Sequence, residues 1–310
     1  MIFKGSDRTL LYGESHFAKS SIGSLLVVHG LGEHLGRYQH LVKWALGLGF
    51  DVHLMDLRGH GRSQGIRGHV NEFSQYANDL ESFIAHLEAT GELKRESPCY
   101  IFAHSLGGLI ALDFLSRATI HGFHTKINGL ILSSPALGIR PGFLNSMQAL
   151  LAEVIPGFLR TLQFPTGILP EALTHDAGEI QKYNDDPLVH SWITPALFMG
   201  MVNTMDRSST LLKGVNVPTL FLLAGRDTVV DTQAAEHFAA KLAVARPNKI
   251  KVRRFHSFYH EVINEKRKDL AFREMKQWIV SRLHKKRKAV SKKGLSGSSG
   301  KRATVKATSL

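Results

Sequence analysis

The sequence has a single cysteine and lacks any long apolar run. Cys99 therefore has no partner for an internal disulfide, and its apolar neighbours predict an inert thiol in a buried strand. No stretch reaches the length of a membrane-spanning helix, and residues 1–5 do not resemble a signal peptide. We therefore expect a cytoplasmic protein.

Acidic residues are missing from the C-terminal stretch. Residues 284–310 contain nine Lys or Arg and no Asp or Glu, so the rest of the chain carries only +4 of the net charge of +13. This stretch is rich in Ser and Gly and has no apolar periodicity, which predicts a basic disordered tail. Such a tail either holds the protein peripherally at an anionic membrane or only raises its solubility. We do not expect a nucleic-acid partner, and the sequence leaves the oligomeric state open.

A strand–helix junction is the most informative motif. An apolar run at 99–104 is followed directly by helical spacing at 106–117, and the two meet at Ser105. Ala103 and Gly107 stand two positions to either side, one substitution away from the G-x-S-x-G nucleophile elbow. Such a tight turn strains the serine, exposes its hydroxyl and places it at a helix N-terminus that favours negative charge. Taken alone, the motif would also suit a serine that only caps the helix.

A glycine-containing loop follows an earlier apolar run. The run at 24–28 predicts a strand that leads into His-Gly-Leu-Gly-Glu-His at 29–34. Glycines on both sides of Leu31 allow the backbone to turn this amide outward. We therefore predict an oxyanion hole made by the amides of Leu31 and Leu106, the residue after the serine.

Apolar runs and helical patterns alternate along the chain. This alternation predicts an α/β fold with a mostly parallel sheet flanked by helices. The closing helix is predicted at 267–283. The predicted strands lie at 24–28, 50–55, 99–104, 127–133, 217–224 and 250–255.

One interval is too long for a simple connection. Residues 137–213 contain several apolar patterns at helical spacing, so we predict a helical cap inserted after the strand at 127–133. Apolar residues at 143–159 in this cap would suit an acyl chain. The expected domains are a core of residues 1–136 and 214–283, the cap at 137–213 and the basic tail at 284–310.

A nucleophilic serine needs a base, and the base needs an acid that orients it. Parallel strands end at one sheet edge, so both groups should follow the last two predicted strands. Asp227 follows the first of these strands, while Asp231, one turn further on, is expected to cap a helix. His260 follows the second, and it is preferred to His256, which continues the strand. The predicted triad is Ser105, Asp227 and His260, in the chain order typical of the nucleophile-elbow fold.

These motifs resemble those of the α/β-hydrolases of the monoacylglycerol lipase and lysophospholipase family. The resemblance covers about residues 1–283 and also rests on the stretches at 37–38, 56–63, 183–189, 225–227 and 259–265. It implies the α/β-hydrolase fold, the same triad and the same oxyanion amides. It also implies that Glu33, Arg37 and Tyr183 lie near the polar end of the pocket. Ala103 departs from the usual first glycine of the elbow, and the cap is the least constrained part of the match.

The combined prediction is a serine carboxylic-ester hydrolase that acts on monoacyl lipids, either monoacylglycerol or lysophospholipid. We expect no metal and no cofactor, because the reaction needs neither and the sequence has no ligand cluster. A related aminopeptidase or thioesterase stays open, as does, with less support, a non-catalytic binding protein of the same fold. Acidic residues of the predicted cap that could hold a substrate amine are Glu171, Asp176, Glu179, Asp185 and Asp186.

Overall fold

A computed structural model describes residues 1–121, 127–140 and 157–296 of the chain. Eight of its ten described strands form one twisted sheet, and the other two form a short ribbon. The strands are β1 (Ile2–Lys4), β2 (Leu10–His16), β3 (Gly23–Val28), β4 (Phe50–Met55), β5 (Cys99–His104), β6 (Ile127–Ser133), β7 (Phe164–Pro165), β8 (Trp192–Ile193), β9 (Thr219–Ala224) and β10 (Ile250–Phe255).

The sheet order is β1-β2-β4-β3-β5-β6-β9-β10, with β7 and β8 pairing separately. The six strands from β4 to β10 in this order are parallel to one another, whereas β1 and β2 add an antiparallel edge. The described helices of more than five residues are α1 (Gln39–Gly47), α2 (Ser74–Ala89), α3 (Leu106–His121), α4 (Ala177–Asp185), α5 (Pro195–Asp206), α6 (Ser208–Gly214), α7 (Thr232–Ala245) and α8 (Lys268–Ser296).

The central strands are buried and mostly apolar because helices cover both faces of the sheet. Every residue of β3, β4, β5 and β9 is buried. One core cluster includes Phe83 of α2 and Leu109 of α3, and the other includes Leu41 of α1 and Trp278 of α8. The predicted α/β fold with a mostly parallel sheet is confirmed, and the predicted strands differ from the observed ones by at most two residues.

The antiparallel edge was not part of the sequence prediction. Strand β2 is only half-buried and carries polar residues, so it lacks the apolar run that marks the central strands. Gly13 in this strand allows close packing, since a Cβ there would press on the Phe83 ring and the Leu54 carbonyl oxygen. Local sequence gives little sign of such an edge strand.

The long interval between β6 and β9 is described at residues 134–140 and from residue 157 onward. Its described part contains α4, α5, α6, two single-turn 3-10 helices at Gly157–Thr161 and Pro170–Ala172, and the β7–β8 ribbon. The apolar positions at 143–156 lie outside the described residues, and no side-chain position is described for Phe158. The division into core and cap remains a prediction.

The structure differs from the sequence prediction in the basic tail. Helix α8 continues to Ser296, so residues 284–296 are helical where disorder was expected. The charge pattern pointed to a solvated chain, but Lys, Arg and Ala are good helix formers, and Gly294 is the first glycine after α8 begins. Extending an existing helix also avoids the cost of nucleation. Residues 297–310 lie outside the description. In the described ranges, no helix has both the length and the apolar character required to cross a membrane.

Candidate active site

Ser105 lies between β5 and α3 in a left-handed backbone conformation, with φ of 49°. This conformation is unfavourable for a residue with a side chain, so the surrounding structure must hold it. The Ser105 N–H donates to the Ser133 carbonyl, and its own carbonyl accepts from the Ala136 N–H, both at 3.0 Å. A Cβ at Gly107 would collide with the Val28 carbonyl oxygen, so glycine is required for α3 to start this close to β3. The predicted elbow is therefore a strained turn.

Hydrogen bonds connect the serine, the histidine and the aspartate. Ser105 Oγ lies 2.9 Å from His260 Nε2, and His260 Nδ1 lies 2.7 Å from Asp227 Oδ2. If Nδ1 carries the proton and donates it to the carboxylate, Nε2 is free to accept the serine proton. A serine that only caps the helix would accept an amide N–H of α3 with its hydroxyl. The Ser105 hydroxyl is instead hydrogen-bonded to His260. The structure thus brings together the three residues singled out from the sequence.

The opposite charges of Asp227 and His260 counteract the effect of burial on their ionisation. Burial alone raises the pKa of the Asp227 carboxyl and lowers that of the His260 imidazole. Each partner's charge and hydrogen bond outweigh burial, so the pKa of Asp227 lies below its ordinary value and that of His260 above it. Asp227 Oδ1 also accepts the amides of Val229 and Val230 at 2.9 and 3.0 Å. The acid therefore stays ionised and holds the imidazole in place.

The two competing candidates lie elsewhere. Asp231 caps α7 by accepting the Gln233 N–H at 2.9 Å, the role expected of it from the sequence. His256 directly follows β10 and is exposed, whereas His260 is 3% exposed. The two histidines differ in their distance from the end of β10. His256 follows the strand directly, whereas the chain has turned back over the sheet edge by His260.

The loop after β3 brings a second backbone amide to the serine. Gly32 has φ of 77°, and its carbonyl accepts the His190 N–H at 2.8 Å. Leu31 and Leu106 line one cavity together with Ser105. Within the described part of the chain, neither the Leu31 N–H nor the Leu106 N–H donates a hydrogen bond. Both amides therefore lack an acceptor in this part of the chain, and their role as an oxyanion hole remains a prediction.

Glu33 and Arg37 belong to a buried charge network. Glu33 Oε1 accepts the Gly30 N–H at 2.6 Å and the Tyr38 hydroxyl at 2.7 Å, and Oε2 accepts Arg37 Nη1 at 3.1 Å. Arg37 also makes a two-pronged pair with Glu261, through Nη1–Oε1 at 2.5 Å and Nη2–Oε2 at 2.8 Å. Because Glu261 follows His260 in the chain, one guanidinium joins the loop after β3 to the loop that carries His260.

The pKa shifts of this network follow from its geometry. Burial disfavours the charge on Arg37, but Glu261 and Glu33 outweigh that effect and raise the pKa of the guanidinium. Burial likewise opposes ionisation of Glu261, and the charge of Arg37 reverses the shift, so the pKa of this carboxyl is lowered. The Tyr183 ring lies 4.8 Å from Arg37 Cζ. Burial raises the pKa of the Tyr183 hydroxyl to about 12, so it remains a hydrogen-bond donor at neutral pH.

Ser105 lines two cavities that also share Leu31, Ile168 and Val229. Polar and charged side chains line the first together with apolar ones, and the second is lined mainly by apolar residues. Polar residues of the first cavity are Glu33, Arg37, His104, Thr166, Tyr183, His190, His260 and Glu261. Apolar residues of the second are Leu31, Leu106, Ala136, Ile139, Ile168, Met201, Val229 and Val230.

A family model described as "Serine aminopeptidase, S33" matches residues 19–267. The chain belongs to this family. Among curated relatives, it is 28% identical to the human monoglyceride lipase, covering 83% of this chain and 82% of that protein. It is 26% identical to phospholipase YtpA of Bacillus subtilis, covering 83% and 94%. A longer relative, an uncharacterized abhydrolase domain-containing protein of Dictyostelium discoideum, is matched over 27% of its length.

A solved structure supports the same assignment. The monoacylglycerol lipase of Paleococcus ferrophilus is 29% identical, with a TM-score of 0.73, over 88% of this chain and 99% of that chain. Together with the family match, this likeness confirms the α/β-hydrolase fold and the class of serine ester hydrolase that the sequence predicts.

The structure adds four side chains to those that the sequence predicted for the site. His104, Thr166, His190 and Glu261 line the polar cavity, and sequence reasoning did not select them. His104 precedes Ser105 and Glu261 follows His260. Their position next to a predicted triad residue is the one sequence signal that could have indicated them. Burial, with the nearby His260 charge, lowers the pKa of His104, so this ring is neutral. Burial lowers the pKa of His190 to about 4, so it is neutral as well.

Helix α4 is attached at both ends to the loops of the active site. Before α4, the Leu173 carbonyl accepts the Glu261 N–H at 2.8 Å, and His175 Nδ1 lies 2.7 Å from Glu265 Oε1. After α4, Asp186 Oδ2 lies 2.8 Å from Nε2 of His34, at the end of the loop after β3. The helix therefore connects the loop that carries His260 to the loop that carries Leu31.

Proposed function

We propose that this enzyme hydrolyses the ester bond of monoacyl lipids, with Ser105, His260 and Asp227 as its catalytic residues. The observation that carries the proposal is the hydrogen-bonded relay at the boundary between a polar and an apolar cavity. A monoacyl lipid has the same division, since its ester joins an acyl chain to a polar head. Relatives named monoglyceride lipase and phospholipase support a lipid substrate.

In the first half of the reaction, Ser105 Oγ attacks the ester carbonyl carbon while His260 Nε2 takes its proton. The carbonyl oxygen becomes an oxyanion that the Leu31 and Leu106 amides stabilise. Asp227 balances the charge of the imidazolium. His260 then donates this proton to the leaving alcohol oxygen, the ester C–O bond breaks, and the acyl group remains on Ser105.

In the second half, water replaces the alcohol. His260 takes a proton from the water as its oxygen attacks the acyl carbon, and the same two amides stabilise the second oxyanion. Collapse of this intermediate breaks the bond to Ser105 Oγ, which regains its proton from His260. The fatty acid is released, and the proton balance of the triad is restored.

The two cavities suggest how the substrate is oriented. The acyl chain would enter beside Met201 and Ile139, and the head would lie beside Tyr183. Glu33 already uses both carboxylate oxygens on protein donors. We therefore assign Glu33 and Arg37 to shaping the polar cavity, and the Tyr183 hydroxyl to direct contact with the head.

The family model carries the description of an aminopeptidase, but the acidic residues considered for amine binding do not form a site for an amine beside Ser105. Asp176 caps α4, Asp186 pairs with His34, and Glu179 pairs with Lys182, so these acids already have partners. None of the five acids considered for amine binding lines the polar cavity as described. The carboxylates that do line it, Glu33 and Glu261, are both bound to Arg37.

A substrate panel tests the proposal. Purified enzyme is compared on a monoacylglycerol, a lysophosphatidylcholine, an acyl-thioester with the same acyl chain, and an aminoacyl p-nitroanilide. We expect hydrolysis of at least one monoacyl lipid, and loss of both turnover and fluorophosphonate labelling in Ser105→Ala. Faster cleavage of the anilide or the thioester would overturn the assignment to lipid esters.

A further inference from the structure

The molecule has a catalytic end and an opposite end. Ser105 and Asp227 follow the carboxyl ends of their strands, and a six-residue strand such as β9 separates the two ends by about 20 Å. Helix α8 begins at the catalytic end, where the Lys268 N–H donates to the Glu265 carbonyl at 3.0 Å. By Arg282 the helix has reached the opposite end, since Nη1 of this residue lies 3.4 Å from the carbonyl oxygen of Asn248, just before β10.

Four cations cluster at this opposite end, and we call them the basic face: Lys213, Arg246, Lys249 and Arg282. Arg246 and Lys249 both bind Asn216, through its side-chain and main-chain oxygens respectively. Arg246 also lies 3.4 Å from the Lys213 carbonyl oxygen. In the described ranges, none of the four has a carboxylate within 4.0 Å. The charge of the basic face is therefore not neutralised by the protein.

Two further features lie at the same end. Val244, two positions before Arg246, is 84% exposed, the largest exposed fraction among the described large hydrophobic residues. Helix α8 continues from Arg282 to Ser296, which extends about 20 Å beyond the sheet at 1.5 Å per residue. The sequence at 285–293 adds six Lys or Arg and no acid.

We propose that the basic face and the helical extension dock on an anionic lipid surface, with the catalytic end turned toward the solution. Unpaired cations near a helical polybasic segment fit the negative charge of such a surface. An exposed valine among them gains from contact with lipid, whereas nucleic acid offers it nothing comparable. This docking would leave the access to Ser105 unobstructed, so substrate would arrive from the aqueous side.

Vesicle co-sedimentation tests the docking. The probe is vesicles of phosphatidylcholine with 30 mol% phosphatidylglycerol, and pure phosphatidylcholine vesicles are the reference. Each cation near the surface contributes about fivefold to binding at low salt, so Lys213→Gln/Lys249→Gln should bind at least several-fold more weakly. The matched control is Lys182→Gln/Lys266→Gln, which removes two exposed lysines near the catalytic end and should bind like wild type.

Site-specific fluorescence tests the orientation. Val244→Cys and Leu169→Cys are each labelled with an environment-sensitive dye. Leu169 is 65% exposed and lies at the catalytic end, where it lines a surface cavity with Asp227. Native Cys99 will not compete for the dye, because it is buried and burial raises the pKa of its thiol to about 12. On the anionic vesicles, the emission of the dye at 244 should shift to the blue and that of the dye at 169 should not.

Several results would overturn the proposal. Equal binding of the basic-face variant and the control variant would show that these cations are not the contact. Equal binding to pure phosphatidylcholine would remove charge as the cause. A blue shift at 169 and not at 244 would reverse the orientation. Binding of a DNA duplex, with no binding to vesicles at the same salt, would identify a nucleic-acid surface instead.

Discussion

Replacing Arg37 by Met should destabilise the protein strongly near neutral pH. Met keeps much of the length of the side chain but removes the charge shared by Glu33 and Glu261. Both carboxylates are 3% exposed, so solvent screens them little. Removing one partner of a buried ion pair costs about 3–5 kcal/mol, because the other charge is left buried without compensation. For a chain of this size, the melting temperature at pH 8 should fall by about 5–8 °C.

The penalty should depend on pH in a defined direction. In the wild type, the pKa of Glu261 is lowered, so the pair stabilises the protein above the pKa of the unfolded carboxyl and loses effect as the pH falls through the folded value. In the variant, burial without Arg37 raises the pKa of Glu261 above that of the unfolded carboxyl. The variant then gains relative stability as the pH falls, and the difference from wild type should shrink between pH 8 and pH 5.

Thermal melting followed by circular dichroism at both pH values measures this effect. Arg37→Met/Glu261→Gln should recover part of the loss at pH 8, since it removes one uncompensated charge. The control is Arg95→Met, which breaks a pair with Glu88 whose Arg side chain is 62% exposed, and it should melt close to wild type. A melting temperature for Arg37→Met within about 2 °C of wild type at pH 8 would refute the reasoning.

Three predictions concern catalysis. Ser105→Ala should lower turnover of p-nitrophenyl butyrate by several orders of magnitude without lowering the melting temperature, because φ at this position is strained; appreciable residual turnover would mean that another nucleophile acts. His260→Ala should lose activity to a similar extent, since triad residues act as a unit, and His256→Ala should stay near wild type; the opposite ranking would exchange their roles. The kcat/KM of the wild type should fall about tenfold per pH unit below the pKa of His260, with a midpoint above 6.5 because Asp227 raises this pKa; a midpoint clearly below 6.5 would indicate that burial dominates.

The parallel strands, and the three residues that the structure joins by hydrogen bonds at their ends, could be predicted from the sequence because their signals are local. Buried strands such as β5 are continuous apolar runs, and Ser105 follows one of them with no loop between. Asp227 and His260 could then be found by the rule that parallel strands end at one edge. A short stretch of sequence and a simple topological rule are therefore enough to predict that these three residues lie together.

The charge network could not be found in this way. Arg37 and Glu261 are 224 residues apart, and nothing in either neighbourhood indicates that they meet. A prediction of their contact requires the position of the turn before α1 relative to the loop after β10, which depends on packing of the whole core. The resemblance placed Glu33 and Arg37 near the pocket but did not indicate that they bind each other.

The prediction of a disordered tail was wrong at residues 284–296 for a different reason. Composition indicated a solvated chain, and the absence of apolar periodicity was taken as absence of structure. A helix already formed over 268–283 needs no new nucleus, so good helix formers suffice to extend it. Periodicity reports which face of a helix is buried, and it is silent about a helix with no buried face.

The attachment of α4 at both ends has a consequence for how this enzyme can be altered. Nine residues of helix set the distance between its two anchored ends at about 13 Å. Deleting one residue from α4 would shorten this spacer by about 1.5 Å and rotate the following anchor by about 100°. Insertions and deletions should therefore be poorly tolerated here. Chimaeras that exchange substrate preference between relatives should keep the length of α4 and place their junctions outside residues 173–190.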